Sequence, residues 1–94
     1  MKNTIEKSAV EIKINKILSN EFDIDVNKIK NESNIRVDLK IDSLMLMDLG
    51  LILDEEFDMH ISDEEIYKWE KVQDIYNLID DNLKSREKIE SRGY

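Results

Sequence analysis

Asp42-Ser43-Leu44 places a hydroxyl directly behind a carboxylate, at the head of an apolar run that is bordered by acids. Residues 54–65 hold seven carboxylates in twelve positions: Asp54, Glu55, Glu56, Asp58, Asp63, Glu64 and Glu65. A serine can act as a nucleophile only if a base takes its proton, and the sole histidine, His60, lies far along the chain from Ser43. A Ser-His-Asp hydrolase is therefore unsupported. No cysteine is present, so thiol catalysis, thiolate-bound zinc and disulfides are excluded. Ser43 reads as a residue that another enzyme acts upon. A phosphate placed there would meet the positive end of a helix dipole and unpaired backbone N–H groups.

That reading requires a helix to start at Ser43, and the pattern supplies one. Apolar residues from 43 to 57 recur at helical spacing, with Asp42 as the expected N-cap. Leu46, Leu49, Leu53 and Phe57 share one stripe, the expected core seam. Leu44, Met47 and Leu51 lie roughly opposite, beside Asp48, Asp54 and Glu55, while Met45 and Ile52 occupy a flank. A helix buried along one side needs one apolar stripe; a second stripe edged with acids reads as a docking face for a basic partner or, more plainly, as a deeply buried helix whose acids solvate it. Methionine there offers adaptable contacts.

The other elements follow from the same periodicity. Ile5, Ala9, Val10, Ile12, Ile14, Ile17 and Leu18 give a first helix over about residues 4–20. Residues 21–41 read as a long ordered loop with one short turn, pinned by its spaced apolar side chains. Ser62-Asp63-Glu64-Glu65 has the capping-box pattern and starts a short third helix. Val72, Ile75, Tyr76, Ile79 and Leu83 define a fourth helix. Strand signals are almost absent. The expected fold is all-α, a small four-helix bundle with a short third helix and a long loop between the first two. One domain is expected over residues 1–83, followed by a charged tail, residues 84–94, that is a frayed helix extension or disordered.

The net charge is −8, and the tail is basic, which leaves −10 on residues 1–83. This balance excludes nucleic acid and an anionic membrane as partners and favours proteins with basic docking patches. The N-terminal segment has neither a signal-peptide pattern nor an unbroken apolar span, so a cytoplasmic location and a monomer are expected. Asp23, Asp25 and Asn27 imitate the opening of a calcium loop. Lys28 and Asn34 stand where such a loop needs glycine and a bidentate glutamate, so no metal is expected. His60 lacks partner ligands and reads as a surface or packing residue.

The run Asp42-Ser43-Leu44, Asp48-Leu49, Leu53 to Asp58, Ile61, Asp63-Glu64-Glu65 and Val72-Gln73-Asp74 resembles the acyl carrier proteins. Ile35 and Asp38-Leu39 fit the same pattern upstream. The resemblance covers about residues 5–83 with almost no gaps. It implies a carrier rather than an enzyme: 4'-phosphopantetheine attached to Ser43, flanked by Asp42 and Leu44, with acyl groups held on its thiol as thioesters. It also implies a phosphopantetheinyl transferase that supplies Mg²⁺ and the base. Acyl-loading and acyl-processing enzymes would dock on Leu44, Met47, Asp48, Leu51, Asp54 and Glu55. The apolar seam between helices would be the shelter for an acyl chain.

Four positions depart from the family. Lys40 stands where glycine is usual, Met45 replaces a frequent acid, Gly50 interrupts the second helix, and Ser62 replaces a common proline. Lys40 implies a loop conformation that lysine can adopt, and it brings a positive charge near the phosphate. Together the departures favour a specialised polyketide-like or modified-peptide pathway over fatty-acid synthesis. Trp69 suggests an alternative, an aminoacyl or D-alanyl type of carrier, and otherwise anchors the third helix to the fourth. A further alternative is an acidic helical interaction module without cofactor.

Overall fold

The structure, a computed structural model, describes residues 8–92, with side chains through residue 85. Four α-helices occupy these residues: α1 (Ala9–Phe22), α2 (Ser43–Phe57), α3 (Asp63–Lys68) and α4 (Val72–Arg92), with a 3₁₀ turn at Val26–Lys28. The expected bundle is present, short third helix included. The start of the first helix expected at residue 4, and Ile5 with it, lies outside the described residues. Within them α1 begins at Ala9, because the Ser8 hydroxyl accepts the N–H of Glu11 and caps the helix there.

The apolar positions of α1 differ in what they contribute. Ile14 and Leu18 are buried, Val10 and Ile17 are partly so, and Ala9 and Ile12 face outward. The helix also runs two residues past its expected end, to Phe22, where Asp23 takes a left-handed conformation and its N–H reaches the Ser19 carbonyl. Asp23 is thus a C-cap, and the Asp25 carboxylate accepts the Asn27 N–H at 2.9 Å to cap the 3₁₀ turn. Both acids have structural work that accounts for them.

The core gathers Ile14 and Leu18 of α1, Leu46, Leu49 and Leu53 of α2, Ile66 of α3, and Val72, Ile75, Tyr76 and Ile79 of α4. Fully burying one such side chain stabilises the fold by about 1.5–3 kcal/mol. One polar pair enters this core: the Tyr76 hydroxyl donates to Asn15 Oδ1 at 2.6 Å, joining α4 to α1. Burial lifts the Tyr76 phenol above its ordinary pKa of 10.0, against the opposing effect of the Asn15 hydrogen bond. At the surface, Lys13 pairs with Glu56 at 3.1 Å and lies over the Phe57 ring, tying α1 to α2.

At Gly50 the α2 backbone lies against α3. A Cβ built there would lie 3.3 Å from Ile66 Cγ1 and closer still to Ile66 Cδ1. The missing side chain lets Ile66 seat directly on the α2 backbone. The glycine carries a helix-propensity cost of about 1 kcal/mol relative to alanine. The fourth helix continues past Leu83 to Arg92, through most of the charged tail.

Candidate functional site around Ser43

Ser43 is the first residue of α2, and its side chain is exposed. Asp42 caps the helix as expected: its Oδ1 accepts the Met45 N–H at 2.9 Å, and its carbonyl accepts the Leu46 N–H. The N–H groups of Ser43 and Leu44 have no such partner among the described residues, as the geometry of a helix start dictates. An outward hydroxyl beside two open N–H donors suits an anionic substituent.

The loop that delivers Ser43 is held from two sides. Its apolar residues Ile29, Ile35, Leu39 and Ile41 are buried in the core. Its backbone is stitched to the α3–α4 junction: Ile35 donates to the Glu70 carbonyl at 2.8 Å, Val72 to Ser33 at 3.1 Å and Gln73 to Asn31 at 3.0 Å. Lys71 adds an ion pair to Glu32 at 3.0 Å, and this carboxylate raises the lysine pKa above 10.5. The expectation of an ordered loop with one short turn agrees with this arrangement.

Asn34 organises the last stretch before Ser43. Its Oδ1 accepts the N–H groups of Arg36 and Val37 at 3.0 and 2.8 Å, and its own N–H donates to Asp38 Oδ2 at 2.7 Å. Its carbonyl then accepts from Asp38 and Leu39, while Ile41 donates to Ile35. This closed turn forces Lys40 to φ 57°, a left-handed conformation that favours glycine. The conformation that lysine adopts in this loop is the left-handed one: the turn stays tight, and the lysine carries the strain.

An open groove of about 590 Å³ runs beside Ser43, lined by Arg36, Val37, Lys40, Ile41 and Asp42. Arg36 and Val37 were not singled out from sequence. The signal was the Asn34-to-Asp38 turn, whose reciprocal side-chain bonds turn both residues outward beside the serine.

The two faces of α2 separate nearly as the helical pattern required. Leu46, Leu49 and Leu53 are buried completely, whereas Leu44 is 79% and Leu51 64% exposed. Asp48 and Glu55 are exposed. Three residues sit between the faces: Phe57 is only half-buried on the core side, and Met47 and Asp54 are half-buried on the outer side. Asp54 has a reason, because its Oδ1 accepts the Ile61 N–H at 3.0 Å and fixes the turn into α3. Its carboxylate is a loop anchor as well as part of the acidic border. Ser62 and Glu65 form the expected capping box at the start of α3.

Trp69 is buried where α3 hands over to α4, which accounts for it as a packing residue. His60 lies at the surface. Among the described residues, no three acidic, histidine or cysteine side chains converge to hold a metal, and no helix is long and apolar enough to cross a membrane.

Comparison with known proteins adds the family to this geometry. The family model for a phosphopantetheine attachment site matches residues 13–79. An acyl carrier protein from Buchnera aphidicola subsp. Schizaphis graminum is 41% identical over 75 residues, covering 80% of this chain and 95% of that protein. A solved acyl carrier protein from Enterococcus faecalis superposes with a TM-score of 0.64 at 40% identity, covering 74% of this chain and 89% of the other.

Proposed function

Because the chain belongs to the acyl carrier proteins, non-catalytic proteins that work through covalently attached 4'-phosphopantetheine, we propose that Ser43 is the attachment residue and that the outer face of α2 receives the partner enzymes. The observation that carries this reading is the exposed Ser43 hydroxyl at the first turn of α2, between open backbone N–H groups and a groove. In the loading step Ser43 Oγ attacks the β-phosphorus of coenzyme A. An O–P bond forms, the bond to adenosine 3',5'-bisphosphate breaks, and the serine proton passes to a base on the transferase.

Once attached, the group supplies a thiol on which acyl units travel as thioesters. The chain itself contributes position and recognition. The Asn34 turn fixes where Ser43 points, and the α2 helix start offers N–H donors to the phosphodiester. Leu44 and Leu51, with Met47 between them, supply apolar contact to a phosphopantetheinyl transferase and to acyl-loading and acyl-processing enzymes. Asp48, Glu55 and the outer edge of Asp54 draw their basic patches. Asp42 and Leu44 flank the reacting hydroxyl. We read the protein as a cytoplasmic monomer on residues 1–83, with the basic tail outside the carrier unit.

A specialised polyketide-like or modified-peptide pathway is the assignment that the departures support. Lys40 changes the charge beside Ser43, and Met45 removes an acid from the first turn of α2. Fatty-acid synthesis is the other pathway open to a member of this family. The aminoacyl alternative loses its particular support, since Trp69 is accounted for by packing.

The deciding experiment is intact-protein mass before and after incubation with coenzyme A and a promiscuous phosphopantetheinyl transferase. The expected result is a gain of one phosphopantetheinyl group that disappears in Ser43→Ala. A folded wild-type protein that gains nothing from a panel of such transferases would return the chain to the interaction-module reading. Reversing Asp48 and Glu55 to lysine should weaken transferase binding more at low salt than at high. Equal binding at both salt levels would remove the acidic border from the docking surface.

A further inference from the structure

Two cations beside Ser43 have no assigned task. Arg36 and Lys40 line the same groove as the serine, and both are exposed. Neither forms an ion pair among the described residues, although the protein carries 22 acidic side chains. Lys40 also holds a left-handed backbone. The two other non-glycine residues in that conformation, Asp23 and Asp58, are helix C-caps, where it closes a helix. Lys40 has no cap to form, so the strain there brings a charged side chain to the groove with no helix-capping return.

The groove does not end at the loop. A second groove, of about 510 Å³, is lined by Asn34, Arg36, Val37, Tyr67, Trp69 and Glu70. Arg36 and Val37 border both, so the surface leads from Ser43 past Val37 to Tyr67. Val37 is 69% exposed and Tyr67 is 50% exposed, which gives the track an apolar and aromatic floor. Each volume lies in the range of pockets that hold small organic ligands.

We infer that this track is the resting site of the prosthetic arm: Arg36 and Lys40 hold its phosphodiester, and Val37 and Tyr67 receive the pantetheine that follows. The inference rests on Ser43 being the attachment residue. Charge complementarity names the occupant, because the anion is tethered at Ser43 and the unpaired cations stand at that end. The apolar residues stand further along, where the arm becomes amide and methylene. Asp42 is the opposing charge in the groove. Its carboxylate is turned into the α2 cap through the Met45 N–H, so the cations face the phosphate without a carboxylate between them. Arg36 and Lys40 are therefore positioning residues that hold the arm against the protein between partner encounters.

The test uses the full chain in apo and holo forms, with loading verified first by intact mass. Amide NMR shifts should change between the two forms at Arg36, Val37, Lys40 and Tyr67, as well as at Ser43 and its neighbours. In the Arg36→Ala/Lys40→Gly double variant the changes at Val37 and Tyr67 should be lost while the mass gain persists. The holo-minus-apo difference in Tm should fall by about 2–6 °C at low salt, the size given by two exposed ion pairs in a domain of this length. Because the Lys40 backbone is relieved equally in both forms, this difference isolates the contact with the arm. Arg36→Lys should retain the shifts. Loaded protein whose shifts stop at Ser43 and its immediate neighbours would overturn the track and leave the carrier reading standing. Absence of any mass gain would overturn both.

Discussion

The same residue type has opposite fates on the two sides of α2. Leu46, Leu49 and Leu53 are sealed in the core, while Leu44 and Leu51 stand in solvent two positions away. The inner leucines are explained by folding alone. The outer ones contribute nothing of comparable size to it, and their acidic borders, Asp48 and Glu55, would be at home on any surface helix. What distinguishes the outer side is the coincidence of apolar side chains, acids and an addressable serine on one helix. Folding chemistry accounts for one face; the proposed recognition role is what accounts for the other.

Substitutions can test that division. The largest effect is expected at Leu49→Ala, which should lower stability by about 2–5 kcal/mol in denaturant titrations. A loss under 1 kcal/mol would mean that the inner seam is less tightly packed than described. Tyr76→Phe should come next, at about 1–3 kcal/mol, because it leaves the buried Asn15 carbonyl without its donor.

Tyr76 also gives the fold a pH dependence with a definite sign. Its pKa is raised in the folded protein, so the unfolded chain loses the phenolic proton first as pH climbs. The stabilisation is complete below the unfolded value of 10.0 and falls as pH rises through the folded value. Urea midpoints at pH 9 and pH 11 should therefore differ more in the wild type than in Tyr76→Phe.

Lys40→Gly should act in the other direction and stabilise by about 0.5–1 kcal/mol, the relief of the left-handed backbone less the added freedom of glycine in the unfolded chain. A destabilised variant would show that the lysine side chain holds the loop. The smallest effect on stability is expected at Leu44→Ala and Leu51→Ala, within about 0.5 kcal/mol. Transferase affinity should nonetheless drop about tenfold, as for an apolar anchor at an interface centre. Stability and affinity lost together would erase the contrast between the two faces.

Much of this was legible in the sequence because it rests on local rules. Asp42 before an apolar period, Ser62 three residues before Glu65, and leucines at 46, 49 and 53 each carry their geometry with them. The exposed serine at the head of an acid-edged helix was read the same way. What escaped was decided by distant contacts. Asp54 looks like any surface acid until the Ile61 amide is brought against it. Arg36 and Val37 become neighbours of Ser43 only through the turn that Asn34 closes, and Lys40 gives no sign of its φ until that turn is drawn. The reach of α4 to Arg92 has a different reason, since the charged residues there carry no apolar stripe to extend the pattern.

The contact of Gly50 with Ile66 makes the spacing between α2 and α3 a dimension encoded at two codons. Enlarging residue 50 would wedge the helices apart, and shrinking residue 66 would leave a void between them, in each case without touching Ser43 or the outer face. Helix spacing and the outer face are thus separable traits in this scaffold. A lineage, or a designer, can retune the one while keeping the other.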